Sequence, residues 1–260
     1  MKALKLYEDL AIDAAQLAGK ILIKYFNSIK DFKVKKDAGI VTKADIESEK
    51  ALSKFFNKET PGFGILAEED GAKGNDKTKW IIDPLDGTTN FFHGFPHFNI
   101  SIALEHNGTI CVGVVYNPIS GDVYHCTKGK GAYKNKKPIR VSKNKQLSTS
   151  MLGTGFAYMR KKPLEEALEL FERFTYKTHG IRRPGAAALD LCYVAEGIYD
   201  GFYEKTLSPW DVAAGALLIQ EAGGTVSKYN GKKFSIYEKE ILASNGHIHK
   251  QMIKTIKSDR

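Results

Sequence analysis

The stretch Asp83-Pro84-Leu85-Asp86-Gly87-Thr88-Thr89-Asn90 follows directly on the apolar run Trp80-Ile81-Ile82. The β-branched residues predict a strand, and the Asp-Pro step predicts its end, because proline has a fixed φ and no N–H to pair. A proline with a glycine three residues later predicts a tight turn, which would bring Asp83 and Asp86 toward one region and free backbone N–H groups for an anion. Such a grouping suits a divalent metal and a phosphate, although an ordinary surface turn has the same pattern.

The composition predicts a folded, intracellular protein. The chain has 260 residues, 42% of them hydrophobic and 11% aromatic, which is enough for a full core in one large domain or in two tightly packed halves. Cys111, Cys126 and Cys192 are an odd count without metal-type spacing, which favours a reducing cytoplasm over a disulfide framework or a zinc site. No apolar run approaches the roughly 18 residues of a membrane span. We therefore expect a cytoplasmic protein without a membrane partner.

The hydrophobic pattern predicts a mixed α/β (α+β) fold in which helices cover sheets. A capping box at Thr42-Lys43-Ala44-Asp45 predicts the start of one helix, and Pro61-Gly62 its end. An antiparallel meander is expected in the middle of the chain. Helices are predicted over 10–25, 164–174, 186–195 and 212–222, and strands over 99–104, 109–116, 122–126 and 198–203, with a further strand and helix at the end.

Two other acids stand where strands or helices begin or end. Glu68 follows the apolar run Ile65-Leu66-Ala67, and Asp211 stands at the mouth of an apolar helix. A solvated turn explains Glu68 without a site, and helix capping explains Asp211. If both converge with Asp83 and Asp86, each like-charge pair at about 4 Å costs about 4 kcal/mol at an effective dielectric of 20, which bound cations would relieve. Oxygen ligands without His or Cys select Mg²⁺ or Mn²⁺.

These acids lie in segments that resemble the signature blocks of the inositol monophosphatase family. The blocks are Glu68-Glu69, the run 83–91, Trp210-Asp211-Val212-Ala213-Ala214-Gly215 and Glu221-Ala222-Gly223-Gly224, with Val41-Thr42-Lys43-Ala44-Asp45 as a further motif. Their order and spacing match over nearly the whole chain. The resemblance implies a layered αβαβα sandwich as a single domain, 1–260, with a metal-binding half, 1–145, and a substrate-contributing half, 146–260.

The resemblance also implies a ligand set for two Mg²⁺ ions. Glu68, Asp83 and the Leu85 carbonyl would hold the first ion, and Asp83, Asp86 and Asp211 the second. A third, weaker ion would use Glu68, and Mn²⁺ is an alternative to Mg²⁺.

The implied catalytic residues are Glu68, Thr88 and Asp45. Glu68 and Thr88 would orient a metal-activated water for in-line attack on phosphorus, without a phosphorylated enzyme intermediate. Asp45 would hold the Thr88 hydroxyl ready, and it can serve the capping box at the same time.

Substrate contacts are implied for both halves of the chain. They would come from Leu85, Asp86, Gly87, Thr88, Gly185, Ala186, Ala187, Glu204 and Asp211. A solvent-facing glutamate at a strand end is the alternative for Glu204. The family usually has Ser or Thr where this chain has Ala186, so a hydrogen bond to the polyol worth about 1 kcal/mol is missing.

The expected function is hydrolysis of inositol monophosphate to inositol and phosphate by a lithium-sensitive homodimer. Related sugar, histidinol and nucleotide phosphatases share similar metal motifs and stay open as alternatives. A second alternative is a family-fold protein that binds RNA or a transcription complex, motivated by the formal charge of +9. The lysines are scattered, however, and Asp190, Leu191 and the exposed-loop histidines His93 and His97 are interpreted as packing and surface residues.

Overall fold

The computed structural model describes residues 2–34, 39–156 and 161–258. The helices are α1 (Lys2–Tyr25), α2 (Lys43–Glu59), α3 (Thr88–Phe92), α4 (Lys161–Thr175), α5 (Ala187–Glu196), α6 (Pro209–Glu221) and α7 (His249–Lys257). The strands are β1 (Lys33–Val34), β2 (Ile40–Val41), β3 (Gly64–Ala67), β4 (Gly71–Lys73), β5 (Thr78–Asp86), β6 (Asn99–His106), β7 (Thr109–Asn117), β8 (Asp122–Thr127), β9 (Ala132–Lys134), β10 (Lys137–Ile139), β11 (Met151–Thr154), β12 (Gly180–Arg182), β13 (Gly201–Lys205), β14 (Thr225–Ser227) and β15 (Glu240–Ser244).

Two sheets form the frame of the described chain. The first has eight strands in the order β10-β9-β8-β7-β6-β5-β3-β4, and the second has five in the order β12-β11-β13-β15-β14. Strands β6, β7 and β8 are antiparallel neighbours, which confirms the predicted meander. The β6–β7 turn has positive φ at both Asn107 and Gly108, as two-residue hairpins require.

Helices cover both sheets and fill the space between them. Alanines of α1, with Leu52 and Phe56 of α2, pack on one face of the first sheet around Trp80. Helices α5 and α6 lie between the sheets, where Leu191 and Leu218 pack with residues of both. Helices α4 and α7 cover the outer face of the second sheet. The predicted αβαβα sandwich is thereby confirmed.

Strand β5 is longer than the sequence predicted. It continues past Asp83 to Asp86, and its pairing with β6 shifts between these two residues. Two residues of β5, Pro84 and Leu85, therefore lie opposite Ile100 alone. This bulge accommodates the proline, because a bulged residue does not need an N–H for the ladder.

Several further boundaries differ from the predictions. Helix α1 begins at Lys2 and not at Leu10, and α4 begins at Lys161 and not at Leu164. Strand β13 begins at Gly201 and not at Ile198, and α6 begins at Pro209, three residues before the expected Val212. A proline fits the first helical position because the N–H that it lacks would have no intrahelical partner there.

The division into halves 1–145 and 146–260 stays a prediction. All three cysteines are free, and none of the helices in the described ranges is long and apolar enough to cross a membrane.

Candidate active site

The bulge in β5 carries the two predicted metal-binding aspartates, Asp83 and Asp86. Asp83 is 1% exposed and Asp86 is 9% exposed, so neither is the surface-turn residue that the alternative required. Asp83 Oδ1 accepts a hydrogen bond from the Leu85 N–H at 3.0 Å. Asp86 Oδ2 accepts from Asn99 Nδ2 and from the Ala188 N–H, both at 2.8 Å. The bulge thus places two buried, hydrogen-bonded carboxylates at the end of one strand.

Gly87 makes the turn from β5 into α3. Its φ is +88°, and a Cβ at this position would lie 3.0 Å from the His97 carbonyl oxygen and 3.2 Å from Ala186 Cβ. Only glycine adopts this conformation without strain, and the space beside it is filled as well. The turn is therefore specified by both backbone and packing, and it delivers Thr88 to the first position of α3.

Asp45 connects the start of α2 to Thr88. One carboxylate oxygen, Oδ2, accepts from the Thr42 N–H at 2.8 Å and completes the predicted capping box. The other, Oδ1, accepts from Thr88 Oγ1 at 2.9 Å. The same hydroxyl also lies 3.0 Å from the Leu85 carbonyl oxygen. Asp45 therefore caps its helix and orients Thr88, and the two interpretations of this residue hold together.

Two more polar residues of α2 support the site, and neither was predicted from the sequence. Ser48 Oγ donates to the Pro84 carbonyl at 3.0 Å, which fixes the bulge. Glu49 accepts the N–H groups of Glu69 and Asp70 at 2.9 and 2.8 Å, which holds the loop that carries Glu68. Both are buried. Polar residues spaced i, i+3 and i+4 from Asp45 on a buried helix face were the available signal.

Asp211 lies in the first turn of α6. Its Oδ2 accepts from the Ser208 N–H at 2.6 Å, so the predicted capping role is real. Ser101 Oγ on β6 donates to the Trp210 carbonyl at 3.0 Å, which ties the start of α6 to the first sheet. The carboxylate is also close enough to Asp83 to raise the pKa of that residue. Asp211, like Asp45, therefore both caps its helix and lies in the acidic site.

The pKa shifts show that the predicted acids share one electrostatic environment. Burial, then the charges of Glu68 and Asp86, raise the pKa of Asp83 well above its usual value, and the same three causes raise that of Asp211. Burial also raises the pKa of Asp86, although Asn99 donates a hydrogen bond to it. Burial, with a smaller contribution from Glu68, raises the pKa of Asp45 to about 6. These carboxylates destabilise one another in the ionised state, and a cation would relieve that cost.

The donor set fits hard divalent cations in its chemistry. The site offers carboxylate oxygens and the Leu85 carbonyl, which suit Mg²⁺ or Mn²⁺, and nothing soft. As the side chains of the described residues stand, no group of three or more Asp, Glu, His or Cys could hold a metal ion. Carboxylates that repel one another stay separated unless a cation lies between them. Binding of a divalent cation would therefore require side-chain rotation at Glu68 or at the aspartates.

The predicted substrate residues of the second half lie at the start of α5. Asp86 accepts a hydrogen bond from the N–H group of Ala188, and the neighbouring N–H of Ala187 helps to lower its pKa. Ala186 is the N-cap residue, makes no side-chain capping bond and is 1% exposed. Asp86 thus performs from the first sheet the capping that a serine or threonine at the N-cap would otherwise perform. Gly185 adopts φ +91° just before this turn.

Glu204 lies on β13 and is half-buried, which contradicts the solvent-facing alternative. Burial, then the charges of Asp190 and Asp211, raise its pKa well above the usual value, so it belongs to the same acidic region. Gly155 passes so close that a Cβ there would lie 2.2 Å from both carboxylate oxygens of Glu204. No sequence pattern predicts this last contact, because Gly155, which follows β11, and Glu204 on β13 are 49 positions apart.

His97 was wrongly expected at the surface. His93 is exposed, but His97 is only 9% exposed, and its Nε2 lies 3.5 Å from Asp190 Oδ1. Burial lowers the pKa of His97, whereas burial and then the charge of Asp86 raise the pKa of Asp190. Asp190 is therefore a buried acid behind Asp86 and not only a packing residue. The backbone of His97 packs closely against Gly87, and this contact holds the histidine in the interior.

Comparisons with known proteins agree with the geometry. Residues 4–259 match the sequence profile of the inositol monophosphatase family. An inositol-1-monophosphatase of Caulobacter vibrioides is 42% identical over 254 residues, which cover 95% of this chain and 99% of that protein. A Nus factor SuhB of Pseudomonas aeruginosa is 40% identical over 257 residues, covering 95% and 94%. The crystal structure of the extragenic suppressor protein suhB from Bartonella henselae has a TM-score of 0.94 and 37% identity, covering 98% and 100%.

Proposed function

The chain belongs to the inositol monophosphatase family, and from this membership and the site we propose that it hydrolyses inositol monophosphate to inositol and phosphate in a Mg²⁺-dependent reaction. The observation that carries the proposal is the gathering of Glu68, Asp83 and Asp211, whose charges act on one another, beside the Thr88 hydroxyl that Asp45 orients. A protein that only binds partners does not need such a costly cluster of acids.

Glu68, Asp83, Asp86, Asp211 and the Leu85 carbonyl would hold two ions, and Glu68 would contribute to a third, weaker one. Mg²⁺ is the expected ion, with Mn²⁺ as a substitute. Bound there, the ions would neutralise phosphate charge, lower the pKa of water and stabilise the departing alkoxide.

Thr88 and Glu68 would orient the attacking water. The Thr88 hydroxyl proton points to an acceptor, either Asp45 Oδ1 or the Leu85 carbonyl. Its oxygen lone pairs are therefore left to accept a hydrogen bond from water, as a hydroxyl can donate once and accept twice. Glu68 would accept a hydrogen bond from the other O–H of that water. The N–H groups of Gly87 and Thr88, at the start of α3, would meet phosphate oxygens.

The inositol ring would lie against the start of α5 and Glu204. Gly185, Ala186 and Ala187 form the turn beside Asp86, and Glu204 can accept hydrogen bonds from two ring hydroxyls. Burial, then the charge of Asp190, raises the pKa of Glu204 well above its usual value. Asp86 and Asp211 would face both the ions and the leaving oxygen.

A substrate panel tests the specificity. Phosphate release should be measured with Mg²⁺ from inositol 1-phosphate, fructose 1,6-bisphosphate, histidinol phosphate and 3′-phosphoadenosine 5′-phosphate. We expect the highest kcat/KM for inositol 1-phosphate. A higher value for one of the other esters would assign the chain to a related phosphatase activity.

A second candidate function is association with RNA or a transcription complex. It is supported by the Nus factor SuhB relative, which is nearly as similar as the inositol-1-monophosphatase, and by the formal charge of +9. Binding of this kind weakens steeply with salt. An RNA gel shift titrated over salt concentration tests it, and absent or salt-insensitive binding would discard it.

Other properties follow from the family resemblance and belong to the proposal. We expect inhibition by lithium, a homodimer in solution and a cytoplasmic location without membrane association. Three free cysteines agree with a reducing compartment.

A further inference from the structure

A cavity lies away from the acidic site, between the first turns of α1 and the β8–β9 hairpin. Its volume is about 670 Å³, and its lining includes Glu8, His125, Thr127 and Tyr133. Strand β8 is separated from β5 by β7 and β6, so the two sites stand about 14 Å or more apart. Cavities of a few hundred cubic ångström are the size that binds drug-sized ligands.

Four lysines surround the cavity: Lys5, Lys128, Lys130 and Lys136. Lys5 is paired with Glu8 and Asp9, both at 2.9 Å. The other three are exposed and form no ion pair with a carboxylate in the described parts of the chain. Neighbouring Lys134, by contrast, pairs with Asp122 and Glu196. The three lysines without a carboxylate partner in the described chain, Lys128, Lys130 and Lys136, thus lie at the cavity.

The one acid in the lining is already committed within the protein. Glu8 accepts from His125 Nδ1 and from Lys5 Nζ, at 2.8 and 2.9 Å. Burial alone would raise the pKa of Glu8, but these two hydrogen bonds outweigh it and lower that pKa. Because an ionised carboxylate only accepts, the proton lies on His125 Nδ1, which leaves Nε2 for another partner.

The cavity also has a flat, apolar wall. The His125 and Tyr133 rings stack at 5.5 Å with an angle of 16°, and Leu4 and the lysine stems add carbon surface. Bare phosphate would leave most of this volume and surface unfilled. A ligand that carries both an anionic group and a planar organic body uses every feature of the lining.

We propose that this cavity binds a small organic phosphate of mononucleotide size, with the phosphate on Lys128, Lys130 and Lys136 and a planar group along Tyr133. The site is separate from the acidic cluster and does not depend on the proposed hydrolysis. It also gives the lysines of this hairpin a role that requires neither RNA nor a second protein.

Calorimetric titration of the full chain with adenosine 5′-phosphate tests the proposal. Adding EDTA keeps a metal-dependent active site from contributing. We expect binding to weaken about tenfold in Lys128→Gln/Lys136→Gln, from the loss of two exposed ion pairs. The matched control Lys54→Gln/Lys250→Gln removes the same charge from exposed positions elsewhere and should bind as the wild type does.

Adenosine and inorganic phosphate serve as partial ligands, and each should bind at least about tenfold more weakly than the complete molecule. Unchanged melting temperature and unchanged phosphatase activity in the cavity variant would show that it folds. Absence of adenosine 5′-phosphate binding to the wild type would overturn the proposal. Equal weakening in the control, or inorganic phosphate binding as tightly as the nucleotide, would also overturn it.

Discussion

Thr88 Oγ1 lies 2.9 Å from Asp45 Oδ1, and this single contact joins the start of α2 to the start of α3 across 43 residues of sequence. Asp45 is fully buried and caps its own helix through Thr42, so its position does not depend on Thr88. The hydroxyl is therefore oriented by a carboxylate that is itself fixed. A fixed acceptor is what a water-orienting hydroxyl needs to act without reorganisation.

Replacing the Thr88 hydroxyl should affect catalysis more than stability. In Thr88→Val we expect kcat to fall about hundredfold, the lower range for loss of a proton-transfer partner. Thr88→Ser keeps the hydroxyl and should stay within about tenfold of the wild type. Steady-state kinetics on inositol 1-phosphate measure both. Equal activity of the valine and serine variants would remove Thr88 from the mechanism.

Without divalent metal, the protein should lose stability as the pH rises from about 4 to about 6. The folded-state pKa of Asp45, about 6, lies above its ordinary value of 3.8. Folded protein then binds more protons than the unfolded chain in this window, so the free energy of unfolding falls with increasing pH. Asp45 alone accounts for about 3 kcal/mol of that loss.

Urea unfolding in EDTA at several pH values measures this slope. Asp45→Asn should make it shallower, and Mg²⁺ should raise stability most at the upper end of the window, where the carboxylates are ionised. Stability that increases through this pH range without metal would contradict the account of the acid cluster.

Gly87 should tolerate alanine much less well than an open glycine of similar backbone conformation. Gly87→Ala brings a Cβ to 3.0 Å from the His97 carbonyl, whereas at Gly121, with φ +74°, nothing lies within 4 Å. Both variants share the backbone cost of about 1–2 kcal/mol, and only the first adds an overpacking cost of about 1–3 kcal/mol. Denaturant unfolding compares the two. If they lose equal stability, packing does not specify this turn.

Ala186→Ser should test the polyol contact that this chain lacks. Asp86 already accepts the N–H group of Ala188, so the new hydroxyl adds little helix capping, and stability should change by less than about 1 kcal/mol. One extra hydrogen bond to the ring would improve kcat/KM for inositol 1-phosphate up to about fivefold. An aryl phosphate without ring hydroxyls is the control substrate. An equal gain on both substrates would exclude a polyol contact.

Sequence patterns were sufficient for the features that depend on neighbours along the chain. The capping box at Asp45, the meander of β6 to β8 and the carboxylates at Asp83 and Asp86 follow from local residue types, and the structure has all of them. The layered sandwich came from the resemblance to a family, since strand order depends on packing between distant segments.

Sequence patterns failed where a contact joins distant segments. The bond from the Ala188 N–H to Asp86 crosses 102 residues, and its donor is a backbone group with no sequence signature. His97 was misplaced because a short loop with Gly94 and Pro96 looks exposed, yet it packs against Gly87. The bulge at Pro84 was missed because proline normally ends a strand, and only the pairing with β6 shows that β5 continues.

Phosphate release from inositol 1-phosphate tests the central claim most directly. Purified protein should release phosphate with Mg²⁺ and lose that activity in EDTA. Asp83→Asn should be inactive although folded, because the amide oxygen can still accept from the Leu85 N–H while the charge is gone. No release with Mg²⁺, or release that persists in EDTA or in the Asp83→Asn variant, would contradict the account.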